Sequence, residues 1–306
     1  MTRDCYELFG FRFAITADRP LAGIPLWSLY PALCSEPGPC DAEWTVSQVI
    51  RAAGPLYVLR DEQGDVHETD DPVRLMEQLE WAIMLRLLAA QDHFLQLHAA
   101  GLVTDDRGLL LVGPSGSGKS TQALGLVLAG WRCLSDEIIL LEPDGSRAWP
   151  FPRSFHTKAD TLRLFPELLR PDAAGVFADS SGKCRFDPAV IKKDWVARPA
   201  KPTWLVFPGY SPAGGDELTP LGETEALSML IEQAINLTSF GERGIEVLVR
   251  LVRSCERYRL NTRDVRRARV LFSELASARC GEEAHEWAWS RRAQSREMQR
   301  ALSQWR

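Results

Sequence analysis

Apolar and polar positions alternate over residues 6–16, which sets Phe9, Phe11, Phe13 and Ile15 on one face and predicts a half-buried strand. Residues 17–43 are rich in Pro, Gly and Cys and read as loop. Residues 56–60 and 66–69 flank a polar turn at 61–65, a hairpin pattern. An Asp at 70 or 71 followed by Pro72 marks a helix start, and that helix is expected to run to about Phe94. The hairpin theme repeats twice, with 97–103 and 109–112 joined by the turn 104–108, and 138–142 and 147–151 joined by 143–146. Between them lie a helical stretch at 121–128, closed by Ala129-Gly130, and a strand at 131–135. A turn-rich span covers 171–203, and 204–207 reads as another strand. From Glu223 apolar residues recur at helical spacing, predicting helices over about 223–238, 242–257 and 263–279. The stretch from Gly281 is charged and carries Trp287, Trp289 and Trp305; it reads as a docked helix or an extension.

These elements divide the chain into a small N-terminal α+β region (1–92), a core (93–222), a helical region packed on that core (223–280) and a tail (281–306). The expected class is α/β with α+β elements and a mixed sheet. A chain of 306 residues buries a full core, as one large domain or two small ones. Its 45% apolar and 25% charged residues are ordinary for a soluble globular protein. The net charge of −5 argues against nonspecific nucleic-acid or membrane partners. The cysteines, at 5, 34, 40, 133, 184, 255 and 280, form no C-x-x-C pair, which suits a reducing cytoplasm and argues against structural zinc. No basic start precedes an apolar run, so no signal peptide is expected; residues 81–90, interrupted by Arg86, are too short to span a bilayer. Cytoplasmic localisation is the expectation, with the oligomeric state left open.

One motif changes the picture. Residues 113–120 read Gly113-Pro114-Ser115-Gly116-Ser117-Gly118-Lys119-Ser120, a full match to the phosphate-binding loop pattern G-x-x-x-x-G-K-[ST]. Glycines let the backbone wrap so that several N–H groups face one anion; Lys119 then reaches the β and γ phosphates and the Ser120 hydroxyl holds Mg²⁺. The apolar run at 109–112 precedes the loop, and Thr121 opens the helix that follows. Strand, glycine loop and helix in that order is the context the motif needs, so residues 113–121 are expected to bind a nucleoside triphosphate, ATP with Mg²⁺.

Strand, helix and strand over 109–135 with a short crossover predict two parallel strands ending at one sheet edge, where ligands bind. The second ends in Ser135-Asp136-Glu137, which brings a carboxylate beside the phosphates. If residue 103 pairs with 109, His98 lies opposite about 114, at the mouth of the loop. Asp136 is then either the base for an attacking hydroxyl or a magnesium ligand, with Glu137 in the other role, and His98 orients Asp136 or shares its proton. Consecutive strand residues point to opposite faces, so both acids serve only if the strand has ended there. Nearly all basic residues are Arg, so the few lysines stand out. Lys158 and Lys183, with Arg153 and Arg185 nearby as further candidates for the acceptor side, lie in the two turn-rich segments after the nucleotide-binding stretch, and one of the two lysines is expected to contact the γ phosphate or an acidic acceptor.

His98 in Leu-His-Ala-Ala-Gly, the loop Gly113–Ser120 motif and the stretch ending Ser135-Asp136-Glu137 resemble the catalytic core of HPr kinase/phosphorylase, within the wider HPr kinase/PEP carboxykinase type of phosphate-loop fold. The resemblance covers about 75–280 and is similar also to HPr-kinase-related kinases of peptide-modification clusters, including those that phosphorylate a serine of lasso-peptide precursors. It implies Asp136 as catalytic base, His98 as its partner, Lys119 as phosphate ligand, Ser120 as magnesium ligand and Glu137 as the second acid. The chain departs from the family in its Asp-Glu pair, where Asp-Asp is usual, and in carrying Ser-Phe-His-Thr-Lys-Ala-Asp at 154–160 where the Glu-Ile-Arg-Gly-Leu-Gly signature is expected. The implied activity is ATP-dependent transfer of the γ-phosphoryl group to a serine of a peptide or protein. A kinase of a small hydroxylated metabolite and a nucleotide-binding regulatory module remain as alternatives.

Overall fold

The computed structural model describes residues 2–18, 20–21, 25–168, 176–178, 183–210, 215–262 and 264–277. Near the N-terminus, β1 (Thr2–Leu8), β2 (Phe11–Ala17), β3 (Cys34–Ser35), β4 (Ala42–Arg51), β5 (Gly54–Asp61) and β6 (Val66–Thr69) form a sheet in the order β3-β1-β2-β4-β5-β6. The alternation at 6–16, expected as one strand, is a hairpin. Leu8 pairs with Phe11 around Phe9-Gly10, both at positive φ (48° and 86°), so Phe9 leaves the apolar face for the turn and is exposed. The alternating buried Ala42, Trp44 and Val46 mark a long strand that sequence reasoning passed over.

Helix α1 (Pro72–Ala90) follows, and its start is the expected one: the Asp71 carboxylate accepts from Val73 N and Arg74 N, with Pro72 in the first turn. It stops at Ala90, short of Phe94. Its stripe of Leu75, Met76, Leu79, Ile83 and Leu87 is fully buried against the N-terminal sheet and against Ile138, Leu140 and Phe151 of the core. Complete burial of each such side chain contributes about 1.5–3 kcal/mol. The region 1–92 is thereby tied to the core.

The central sheet has β7 (Leu95–Thr104), β8 (Arg107–Val112), β9 (Arg132–Ser135), β10 (Ile138–Leu141) and β11 (Ala148–Trp149). After β12 (Phe155–Lys158), β13 (Val176–Ala178) and β14 (Lys183–Phe186), which form a separate three-stranded sheet, β15 (Lys201–Tyr210), β16 (Glu217–Pro220) and β17 (Glu256–Thr262) complete it. Its order is β11-β10-β7-β8-β15-β17-β16, with β9 also on β7. β7 and β8 meet in a two-residue turn, Asp105-Asp106, at φ 47° and 60°. Successive residues of β8 face opposite ways. Leu109 and Leu111 pack with α2 (Lys119–Leu128) and α7 (Val265–Ser277), whereas Leu110 and Val112 pack with α4 (Glu223–Gln233) and α6 (Glu242–Ser254). Short α3 (Ala159–Leu162) and α5 (Leu237–Phe240) complete the described helices. The architecture is mixed α/β, a sheet covered on both faces.

Two expectations change here. Residues 223–280 are not a purely helical region: β17, with Tyr258, Leu260 and Thr262 buried, enters the sheet between β15 and the edge strand β16, parallel to β15. The helix expected over 242–257 ends at Ser254, and the gap expected between it and the next helix is part of this strand. The stretch 223–238 is likewise two helices broken at Ala234. Residues 281–306 lie outside the described residues. Among the described residues no helix is long and apolar enough to cross a membrane.

Candidate active-site cleft

The strands on either side of α2 run parallel, as expected, but they are not neighbours. β8 and β9 both pair antiparallel with β7, one on each side. β7 inserted between them leaves their carboxyl ends at one edge. There the chain wraps from Val112 through the glycine loop into α2, with Gly116 and Gly118 at φ 82° and 95°, a region open to glycine and strained for other residues. Gly118 is the N-cap of α2 and no side chain caps it, so the first N–H groups of the helix and its positive end face the cleft.

Lys119 is 5% exposed, and its Nζ donates to the carbonyls of Gly113 (2.7 Å) and Pro114 (3.1 Å). Burial pulls its pKa below the ordinary lysine value, while Glu137 and Asp136 push the other way. Ser115, Gly116, Gly118, Ser120 and Thr121 line a cleft of about 530 Å³. Gly113, Pro114 and Ser117 stand behind that wall. A Cβ on Gly113 would meet Ser117 Oγ at 3.0 Å, and Ser117 N donates to Pro114 O at 3.2 Å.

The acid pair occupies a break in a long strand. β9 and β10 share the same edge of β7, with Ser135 opposite Gly101 and Ile138 opposite His98; the register slips at Leu134, and ladder pairing is interrupted at Asp136-Glu137, where Ala99 N still donates to Glu137 O (3.0 Å). Ser135 Oγ accepts from the N–H groups of Glu137 (3.2 Å) and Ile138 (3.1 Å), which stabilises the break. The strand has therefore ended where it must, and both acids line the cleft. Asp136 is 2% exposed, and its Oδ1 has no hydrogen-bond partner among the described residues. Burial raises its carboxyl above the ordinary value; Arg153 opposes this and Glu137 adds to it.

The charge partner of the acids is not His98. Arg153 lies with Nε 3.6 Å from Asp136 Oδ1 and its terminal nitrogen against Glu137 Oε2. The residue expected to grip an acceptor thus holds the acid pair. His98 does line the cleft, but its Nδ1 lies 3.1 Å from Gln233 Oε1 of α4, and no hydrogen bond or ion pair joins it to Asp136. The β7–β8 register is one residue off the expected one, with Val103 opposite Gly108. Burial is the largest influence on the His98 pKa and lowers it, so the ring favours its neutral form.

Of the other expected acceptor residues, Lys158 is exposed and lines the cleft. Lys183 pairs with Lys158 through the backbone of β14 and β12, and its side chain lies outside the described residues. Arg185 points elsewhere. It is 1% exposed and makes two bonds to Glu80 of α1, Nε to Oε1 at 3.2 Å and a terminal nitrogen to Oε2 at 2.9 Å. Glu80 also meets His156 Nε2 at 2.9 Å, and His156 lines the cleft with Thr157 and Thr161. Sequence reasoning missed Glu80 and His156. Glu80 had a signal, because it sits four residues after Met76 and three before Ile83, on the apolar stripe of α1, where a carboxylate needs a buried partner.

The donor set suits a magnesium ion with a polyphosphate. Ser120, Asp136 and Glu137 are hard oxygen donors that line the same cleft as the loop, and Asp136 Oδ1, buried, accepts no hydrogen bond and has the Arg153 guanidinium 3.6 Å away. No family model and no curated protein matches the chain. Among solved structures it is similar to the HPr(Ser) kinase/phosphatase from Coxiella burnetii, at 13% identity and a TM-score of 0.30, covering 59% of this chain and 93% of that one.

Proposed function

We propose that this chain is an ATP-dependent phosphotransferase that moves the γ-phosphoryl group to a hydroxyl, most directly that of a serine in a peptide or protein. The observation that carries this reading is the convergence in one cleft of the loop, Lys119 and both acids with Arg153, His156, Thr157 and Lys158. The loop amides and Lys119 hold the phosphates. Ser120 and Glu137 would hold Mg²⁺, which when bound neutralises phosphate charge. Asp136 accepts the proton of the attacking hydroxyl. Such transfer needs little covalent participation from the protein, so positioning and preorganised charge supply most of the rate.

The test is incubation with γ-labelled ATP and serine-containing peptides, with phosphoserine identified in the product. ATP binding without transfer to any hydroxyl would leave a nucleotide-binding regulatory module. Transfer confined to small hydroxylated compounds would move the acceptor class. Lys158, in the same cleft, gives a narrower expectation: Lys158→Met raises the half-saturating concentration of an acidic acceptor several-fold at saturating ATP. Unchanged kinetics would make Lys158 a solvated surface charge, worth within about 0.5 kcal/mol.

A further inference from the structure

Glu137 has two claimants in this cleft. As a metal ligand it would face a cation, yet it already meets one. The terminal nitrogen of Arg153 lies against its Oε2, while Arg153 Nε lies 3.6 Å from Asp136 Oδ1. The guanidinium is no chance surface neighbour. Its side chain is 12% exposed, and the backbone on both sides of it is held. Phe151 N donates to Leu134 O (3.0 Å) and Ser154 N to Leu29 O (3.0 Å), with Ser154 Oγ also donating to Ser28 O. Burial works against the guanidinium charge, but Glu137 and Asp136 outweigh burial and push its pKa above the ordinary arginine value. The contact settles charge and leaves hydrogen bonding unfinished: Asp136 Oδ1, Glu137 Oε2 and Arg153 Nε are buried and make no hydrogen bond among the described residues. A buried ion pair is weak evidence for stability, and orphaned polar atoms at a cleft point to a ligand. By formal charge, Lys119 and Arg153 balance Asp136 and Glu137, and Lys158 adds a further positive charge to the same lining.

We propose that Arg153 makes metal binding conditional on nucleotide: it neutralises the acid pair, so the cleft takes a divalent cation together with a polyphosphate and not alone. This rests on the phosphotransferase reading and adds an order of events to it. The cleft offers a lone divalent ion no net negative charge, because both carboxylates share the guanidinium. A triphosphate gives the guanidinium, Lys119 and the loop N–H groups an anion to face, and the acids are released to the metal when there is a phosphate for it to bridge. Without the Arg153 charge, the same cleft presents two uncompensated carboxylates. It then attracts a lone cation and repels a metal-free nucleotide. Loss of a residue that only held the fold weakens both.

The decisive variant is Arg153→Met, which keeps bulk and removes the charge. Mn²⁺, a spectroscopic stand-in for Mg²⁺ at oxygen ligands, is titrated alone by electron paramagnetic resonance, and ATP is titrated separately with EDTA present. The variant is expected to bind Mn²⁺ alone about tenfold tighter than the parent and metal-free ATP about tenfold weaker, the effect of one unit charge at close range. The opposite signs are the signature. A loss of both affinities marks Arg153 as a structural residue and overturns the proposal, and so does either affinity remaining at the parent value. Two adjacent acids without a counter-ion can unfold the variant, so the comparison is repeated in Asp136→Asn. There the removal of Arg153 leaves only Glu137, 35% exposed, without its ion pair. Asp136→Asn/Arg153→Met is expected to bind Mn²⁺ alone tighter, and metal-free ATP weaker, than Asp136→Asn; equal affinities overturn the proposal there as well. A parent protein that binds ATP neither with Mg²⁺ nor without it sinks the functional reading together with this one. A parent that binds MgATP, beside a variant of unaltered Mn²⁺ affinity, sinks this one alone.

Discussion

Lys119→Ala is expected to remove tight MgATP binding while leaving the protein folded. The two halves of that expectation have separate causes. The ammonium is 5% exposed and is held by two carbonyls of its own loop, Gly113 O and Pro114 O. Burial works against its charge, as the direction of its pKa records, and the acids that favour the charge already have Arg153. Little folding free energy therefore depends on it. ATP binding is different, since on the proposed reading the same ammonium is the loop's point charge for the β and γ phosphates. A hydrogen bond to a charged group is worth about 1.5–3 kcal/mol, which makes the affinity roughly 10- to 150-fold weaker. Calorimetry with MgATP and a melting curve read the two halves independently. A variant that binds ATP as well as the parent would remove the loop from the site.

How much of this was legible in advance differs from element to element. The shape of the loop was readable because it is local: Gly116, Gly118 and the Lys119 bonds to Gly113 and Pro114 are set by a contiguous backbone. The α1 start was equally local, since Asp71 caps what Pro72 begins. The acid pair was placed correctly at the sheet edge although β8 and β9 proved not to be neighbours, because strand direction alone decides which edge a strand ends on. What failed depended on distant packing. His98 reaches the cleft but its partner, Gln233, comes from a helix more than a hundred residues later. Arg153 pairs with Asp136 and Glu137 because the segment at 154 is pinned to the N-terminal region, with Ser154 N donating to Leu29 O at 3.0 Å. Arg185 is drawn to Glu80 of α1 for the same kind of reason. β17 was lost because a seven-residue strand between two amphipathic helices continues their apolar content, and only its period distinguishes it.

Asp136→Asn should keep ATP affinity within a few-fold and lower transfer by roughly 10² to 10⁴, the range of a lost proton acceptor. The amide keeps the shape of the carboxylate, so Ser135 still stabilises the strand break and Glu137 still pairs with Arg153. What disappears is a base in a site that tunes it. Burial raises the Asp136 carboxyl above its ordinary 3.8, against the pull of Arg153 and with the help of Glu137. A raised value makes the carboxylate a better proton acceptor. The sign for catalysis follows: transfer by the parent falls as pH drops through the folded value, above the ordinary carboxylate range, and the residual rate of the Asn variant lacks that limb. For stability the sign is opposite. The folded protein binds this proton more tightly than the unfolded chain, so the stabilisation from Asp136 is present at low pH and lost as pH rises from the unfolded value through the folded one. The Asn variant carries no such dependence, and denaturant melts at acid and neutral pH should show the parent losing this increment on the way up while the variant does not. Transfer rates across the same range, measured at saturating ATP, complete the test. If ATP affinity and turnover fall together by the same factor, Asp136 is a metal ligand and the proton goes elsewhere in the cleft.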